Sequence, residues 1–456
     1  MRNRSIHPGE VMAASKLNKV HMTVFFWCFF AIAFDGYDIA MYGVSLPWLM
    51  EEWNLTAIQA GAIGSYTLIG MMLGALIFSP VADQFGRKKV LGICIFLFSL
   101  FTAGSGMIDS PLLFTVMRFI AALGMGGLMP NAISLMTEYS PKKNRAVIVA
   151  AMYCGYSAGG VLASLIGMLA VPHAGWRVLY LIGAVPLFVL PFFFRQFPES
   201  LSFYMLTKQT KKLAEILNKV HPDGQYRESD NFQLSGHADQ TKGFPVKKLF
   251  QQKRAASTFA FWLSVFSCLM MVYGLNTWLP KMMQASGYGV SSSLSFNLAL
   301  CIGQAAGALI GGRLADKAGH KKVLAVMYML GAFCFAAFGL TVNPYVLYLL
   351  IALGGACTVG TQNIANPYIS EYYPKEIRAT GIGWALGIGR IGAIIAPSLF
   401  ALILASGIDP KQSFMIFAVP SLFAALGILL VQENHAKFDF IPAEKRRSQM
   451  RSELKI

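Results

Sequence analysis

The chain has 456 residues, of which 13% are charged and 55% apolar, and its mean hydropathy is +0.53. Soluble globular chains carry roughly a quarter charged residues, so this composition excludes an ordinary cytosolic enzyme and favours one polytopic membrane bundle over three soluble domains. The formal net charge of +16 would point to nucleic acid on a soluble protein, and its meaning here depends on where the basic residues lie.

Twelve stretches approach the ~20 apolar residues that a spanning helix needs: 20–45, 57–79, 90–107, 111–137, 146–171, 177–195, 255–280, 290–312, 322–341, 344–370, 379–405 and 411–431. They predict an all-α polytopic membrane protein with two pseudo-symmetric six-helix bundles. These occupy 1–195 and 255–432, with a central loop at 196–254 and a tail at 433–456. The first stretch lacks a small-residue cleavage pattern and reads as a retained helix. In the central loop Leu206, Leu213, Leu217 and Val220 recur at helical spacing and predict one surface helix. The seven cysteines all fall in apolar runs without metal-ligand spacing, so neither a disulfide framework nor a zinc site is expected.

Alternate connections, with both termini among them, hold 33 of the 38 Lys and Arg residues, whereas the opposite side has only Arg177, Lys281 and Lys411. That bias predicts cytoplasmic termini and a cytoplasmic central loop. The basic excess is then a signal of topology in a lipid bilayer, and no nucleic-acid partner is expected. Two basic residues, Arg118 and Arg390, stay inside predicted helices.

A shift of 233 residues superposes the two halves without gaps. Residues 70–91 match 303–324 at 12 of 22 positions, and Pro47, Glu138, Pro141 and Arg145 land on Pro280, Glu371, Pro374 and Arg378. Ser79 to Lys89 (SPVADQFGRKK) and Gly312 to Lys322 (GRLADKAGHKK) read as equivalent loops, with Gly86 and Gly319 suited to a tight turn. The repeat does not duplicate everything. Asp35 falls on Cys268, Asp38 on Met271 and Arg390 on Ser157. A scaffold role predicts symmetry, so these departures mark a specific task.

Asp35 and Asp38 stand three apart and share one side of the first helix. A carboxylate at mid-depth costs about 2.5–3.5 kcal/mol on insertion scales, so each should face a cavity, a proton or a partner. Arg390, set among Gly387, Gly389 and Gly392, is a fixed positive charge whose planar fork suits a carboxylate. It could serve a substrate or an internal salt bridge with Asp35 or Asp38, and the sequence leaves both open. All seven histidines fall outside predicted mid-depth positions, so carboxylates are expected to carry any proton. There is no P-loop or nucleotide fingerprint, no cofactor is expected, and no nucleophile–base pair suggests an enzyme.

The two-half repeat and its loop motifs resemble the major facilitator superfamily, whose halves are parallel repeats. Ser79 and Gln84 depart from that family's usual glycine and arginine in the first loop motif. The resemblance implies gating roles for Asp83, Gly86, Arg87, Asp316 and Gly319, with Glu138, Arg145, Glu371 and Arg378 as gate ion pairs. It implies a proton-coupling role for Arg118, which opens a glycine-rich run to Gly127. It also places Tyr37, Tyr42, Tyr273, Asn276, Trp278, Thr361, Gln362, Asn363, Asn366 and Tyr368 in cavity-lining helices, with Tyr153 and Tyr156 as weaker candidates.

Three runs, Phe34 to Pro47 (FDGYDIAMYGVSLP), Gly126 to Pro141 (GGLMPNAISLMTEYSP) and Pro198-Glu199-Ser200, are similar to the aromatic acid:H⁺ symporter family, and most to its benzoate carriers. This implies a monomer of the bacterial inner membrane that imports an aromatic carboxylate with a proton for catabolism. Asp35, Asp38 and Arg118 would then couple the proton, while Arg390 and Asp38 would meet the substrate. A proton antiporter exporting a small organic anion or drug is the other reading.

Overall fold

The computed structural model describes residues 5–221, 224–233, 246–340, 343–374 and 377–435. Among them are twelve helices long and apolar enough to cross a membrane. These are α1 (Lys19–Glu52), α2 (Ala57–Phe85), α3 (Arg87–Ser105), α4 (Pro111–Tyr139), α5 (Val147–Leu169), α6 (Arg177–Gln196), α7 (Ala255–Ala285), α8 (Val290–Ala318), α9 (His320–Phe338), α10 (Pro344–Tyr372), α11 (Thr380–Ala405) and α12 (Gln412–Leu430). Helix is forced here because lipid cannot satisfy a free backbone N–H or C=O. Helical structure persists through Pro47, Pro80, Pro130, Pro280, Pro367 and Pro397. It is interrupted at residues 183–184 in α6, at 357–358 in α10 and at 416–417 in α12. The described chain forms two compact units. One comprises 1–41 with 66–240; the other comprises 42–65 with 241–456.

Within each unit the repeat is written into helix crossings. A Cβ added at Gly70 would lie 2.5 Å from the Phe119 carbonyl oxygen, and one at Gly74 would lie 2.0 Å from that of Leu123. In the second unit the equivalents are Gly303 against Ala352 (1.9 Å) and Gly307 against Ala356 (2.3 Å). Each glycine and each facing carbonyl is 233 residues from its counterpart. Crossings this close need small residues, because membrane helices associate by packing rather than by expelling water.

Two expectations change. The Ser79–Lys89 and Gly312–Lys322 motifs are not loops. Helix α2 runs to Phe85 and α3 starts at Arg87, leaving Gly86 alone as the joint at φ +99°; Gly319 does the same between α8 and α9 at φ +94°. Only glycine holds such a conformation without strain, so one residue turns the chain. The single surface helix of the central loop is two, Leu201–Leu206 and Thr210–Val220, broken where Lys208 adopts φ +55°. Leu213, Leu217 and Val220 are buried by the second helix, whereas Leu206 is 65% exposed.

A short helix, Pro8–Ala14, precedes α1, and Ser5–Ile6 pairs in parallel with Asn231–Phe232. The Ala13 carbonyl accepts from Lys142 N–H at 2.9 Å. Asn18 donates through Nδ2 to the Val220 carbonyl at 3.1 Å, tying the foot of α1 to the central-loop helix.

Candidate functional site

The first unit holds the buried acids. Asp35 and Asp38 are both 0% exposed, and Arg118 on α4 is 1% exposed. The Arg118 guanidinium meets Asp38 with two hydrogen bonds, the second from Nη2 to Oδ2 at 2.7 Å. Thr102 on α3 donates its hydroxyl to Asp38 Oδ1 at 3.2 Å, and the guanidinium lies 5.7 Å from the Tyr180 ring centroid. Fork-to-fork pairing is the strongest geometry open to these groups, and burial this complete makes a partner compulsory for each charge. Helix α1 can present the acids because it crosses α5 closely: a Cβ on Gly159 would lie 1.8 Å from the Ala33 carbonyl, and one on Gly36 would lie 2.0 Å from that of Tyr156.

The second repeat lacks this apparatus. The positions equivalent to Asp38, Thr102 and Arg118 are Met271, Phe335 and Ile351. Thr102 carried no motif and is visible only through its contact.

The second unit holds Arg390, which donates from Nη1 to the Tyr273 hydroxyl at 3.1 Å. On the same helix Gly383 and Gly387 are exposed, and a Cβ at either would have nothing within 4 Å. Open space therefore lies one and two turns from the guanidinium. Gln362, Asn363 and Asn366 on α10 are half-buried, and Asn366 Oδ1 has no hydrogen-bond partner among the described residues.

Most of the other candidates spend their polar atoms on the backbone, and Tyr368 spends its hydroxyl on a carboxylate. Tyr37 donates to the Leu179 carbonyl at 2.7 Å, and Tyr42 to that of Ala60 at 2.6 Å. Asn276 Nδ2 donates to Val272 O at 2.7 Å, and Trp278 Nε1 to Pro397 O at 2.9 Å. Thr361 donates to the Thr358 carbonyl, and Tyr368 to Glu433 Oε1 at 3.1 Å. Tyr156 is 8% exposed.

The joints at Gly86 and Gly319 carry a second repeated pair. Arg87 bridges Asp83 at 3.1 Å and Glu138 at 3.2 Å. Its counterpart 233 residues on is His320, which faces Glu371, the counterpart of Glu138, at 3.7 Å. Glu138 thus pairs with Arg87, while Arg145 donates to the Ser140 carbonyl at 3.3 Å. Arg378 is half-buried and Asp316 exposed. Glu138 also accepts from Ser200 Oγ and from the backbone and hydroxyl of Ser202. Glu199, 6% exposed, accepts from Lys88 N–H at 2.9 Å at the start of α3, where the helix dipole favours an anion. Pro198-Glu199-Ser200 was legible as a family run, but its clamp on the α2–α3 joint was not. Burial keeps the nearby Tyr204 phenol above its ordinary pKa, so it stays protonated and accepts Glu199 N–H through its oxygen at 3.4 Å. No cluster of three metal-ligating side chains occurs among the described residues.

The chain matches the Major Facilitator Superfamily over residues 28–304 and 298–455. It is 38% identical to the benzoate transport protein of Acinetobacter baylyi, over 95% of this chain and 94% of that one. It is 33% identical to the gallate transporter of Pseudomonas putida (91% and 92%) and 31% identical to a 4-hydroxybenzoate transporter of the same organism (94% and 96%). The xylose transporter of E. coli, in a partially occluded inward-open conformation, superposes with a TM-score of 0.71 at 16% identity, over 90% of this chain and 98% of that one. The chain therefore belongs to the major facilitator superfamily, in the branch of its aromatic acid transporters. It is a multi-pass membrane transporter and not an enzyme.

Proposed function

We propose that this protein is a proton-coupled symporter that imports a small aromatic carboxylate of the benzoate or hydroxybenzoate class across the bacterial inner membrane. It works as a monomer by alternating access, with both termini in the cytoplasm. The observation that carries the reading is the charge set the repeat omits: the buried Asp38–Arg118 pair and Arg390 with Tyr273. The relatives named for benzoate, gallate and 4-hydroxybenzoate supply the substrate class.

Arg390 meets the carboxylate with its fork, and Tyr273 shares the guanidinium when substrate is absent. The open space beside Gly383 and Gly387 takes the ring, with Gln362, Asn363 and Asn366 as partners for ring hydroxyls. Tyr42, Asn276 and Trp278, in the same unit as Arg390, fix backbone there through their hydrogen bonds, and Tyr37 does so in the first unit. Arg118 holds Asp38 in two hydrogen bonds, and Asp35, buried one turn before it, is the acid that takes the proton. Loading the proton and the substrate together neutralises buried charge, which lowers the cost of occlusion. Asp83, Gly86, Arg87, Glu138 and Arg145, with Asp316, Gly319, Glu371 and Arg378, form the gates at the basic face.

The test is uptake of labelled benzoate and 4-hydroxybenzoate into proteoliposomes under an inward proton gradient. Accumulation should vanish with a protonophore. Arg390→Ala should abolish binding of both acids, and Arg390→Lys should keep a weaker one, since a point charge replaces the fork. Efflux of the acid against an inward proton flow would overturn symport, and unchanged binding by Arg390→Ala would remove the substrate role of Arg390.

A further inference from the structure

A groove of about 580 Å³ opens where the foot of α1 meets the end of α6, away from the buried charges. Leu17, Met22 and Phe26 form its walls, and Trp27 lies against it. The three wall residues are 49%, 55% and 55% exposed. On a membrane helix such exposure means contact with acyl chains. Trp27 packs edge-on against Phe193 of α6, with centroids 5.4 Å apart, which joins the two helices behind the groove. Its buried indole N–H has no acceptor among the described residues.

The rim has one sign of charge. Lys19 lines the groove, and Lys16 beside Leu17 and Arg195 beside Gln196 are exposed one residue from lining positions. Lys219 is exposed as well, and its carbonyl accepts from Asn18, another lining residue, at 3.3 Å. No acidic side chain lines the groove among the described residues. An apolar trough with a basic mouth, at the end of spanning helices, has the chemistry of a phospholipid whose headgroup is net negative. A zwitterionic headgroup would bring an ammonium to a rim that offers it no carboxylate.

We infer that this groove binds one anionic phospholipid, its chain along Met22 and Phe26 and its phosphate at Lys19, with Lys16, Lys219 and Arg195 around it. Bound there, the lipid braces the foot of α1, the helix that carries Asp35 and Asp38 further along.

The experiment is native mass spectrometry of the full-length protein with equal amounts of phosphatidylglycerol and phosphatidylethanolamine of matched chains. Wild type should retain the anionic lipid preferentially. Lys19→Glu should cut that preference by about fivefold or more, given the worth of one surface cation near anionic lipid, and Lys19→Arg should keep it. Thr23→Trp, which fills the groove and leaves the rim charges in place, should reduce retention of both lipids. Equal retention of the two lipids by wild type would overturn the proposal. So would a preference that survives Lys19→Glu, or retention of both lipids unchanged by Thr23→Trp.

Discussion

A guanidinium that is 1% exposed keeps its proton, and two hydrogen bonds tie it to Asp38. That constraint separates the two aspartates of α1. Asp38→Asn takes from Arg118, at full burial, the carboxylate that its two hydrogen bonds hold. It should cost roughly 3–5 kcal/mol of stability, read as a fall in the thermal unfolding midpoint of purified protein, and it should also end uptake. Combining Asp38→Asn with Arg118→Met removes the stranded charge. The midpoint should then recover while uptake does not, whereas a double variant no more stable than Asp38→Asn would show that the charge is not what costs stability. Asp35→Asn leaves the Asp38–Arg118 pair in place. It should keep the midpoint near wild type and leave substrate exchange without its dependence on the proton gradient; accumulation equal to wild type would remove Asp35 from coupling. The sequence shows both acids on one side of one helix, because three-residue spacing settles that alone. It does not show that Arg118 claims Asp38, since the pairing depends on where α1 and α4 meet, and Thr102 joins from a third helix without any motif to announce it.

Helix crossings decide where these side chains point. Gly159 lies where an added methyl would stand 1.8 Å from the Ala33 carbonyl, two residues before Asp35, and a backbone atom cannot step aside as a flexible side chain can. Gly159→Ala should therefore push α1 from α5, at about the 1–3 kcal/mol typical of overpacking, with a lower midpoint and weaker uptake. Gly175→Ala, whose Cβ meets nothing within 4 Å but whose φ is +74°, is the control for a glycine held by conformation alone and should leave uptake intact. At the joints the repeated pair differs in kind: Arg87 is charged at every working pH, whereas histidine changes charge across roughly pH 5–8. His320 stacks on Tyr368 with ring planes 7° apart and faces Glu371; Asp316, Lys317, Lys321 and Lys322 are its charged neighbours along the chain. His320→Arg sets a permanent charge against Glu371, as Arg87 sets one against Glu138. It should hold this joint closed for longer and slow substrate counterflow, measured with equal pH on both sides. A counterflow rate equal to wild type would remove this pair from the gate. The motifs at the two joints were legible as a repeat, but they looked like loops, because glycine, charge and proline are turn signals in water. In the structure all but one residue of each is helix, because a single glycine at positive φ turns the chain.

Over the whole chain the 233-residue repeat explains why so much architecture could be read in advance. Its identities between 70–91 and 303–324 include the glycines of the α2–α4 and α8–α10 crossings and the joints that follow them, so packing accounts for part of what repeats; Leu76 and Ile77 repeat as Leu309 and Ile310 although all four are exposed. The division into compact units was less legible, since residues 42–65 join the second unit and no change of composition marks that boundary. Orientation rests on the uneven placement of Lys and Arg, and it can be tested without substrate. Six of the seven cysteines are buried and Cys154 is half-buried, so a Cys154→Ser background should react little with a membrane-impermeant maleimide. Met107 between α3 and α4 is 75% exposed, and Glu228 in the central loop is exposed. In intact right-side-out vesicles Met107→Cys should label and Glu228→Cys should not, and permeabilising the membrane should equalise them. The reverse pattern would place the basic face outside. The predicted direction of import, the side from which Asp35 takes its proton and the leaflet that supplies the groove at Lys19 would all invert with it.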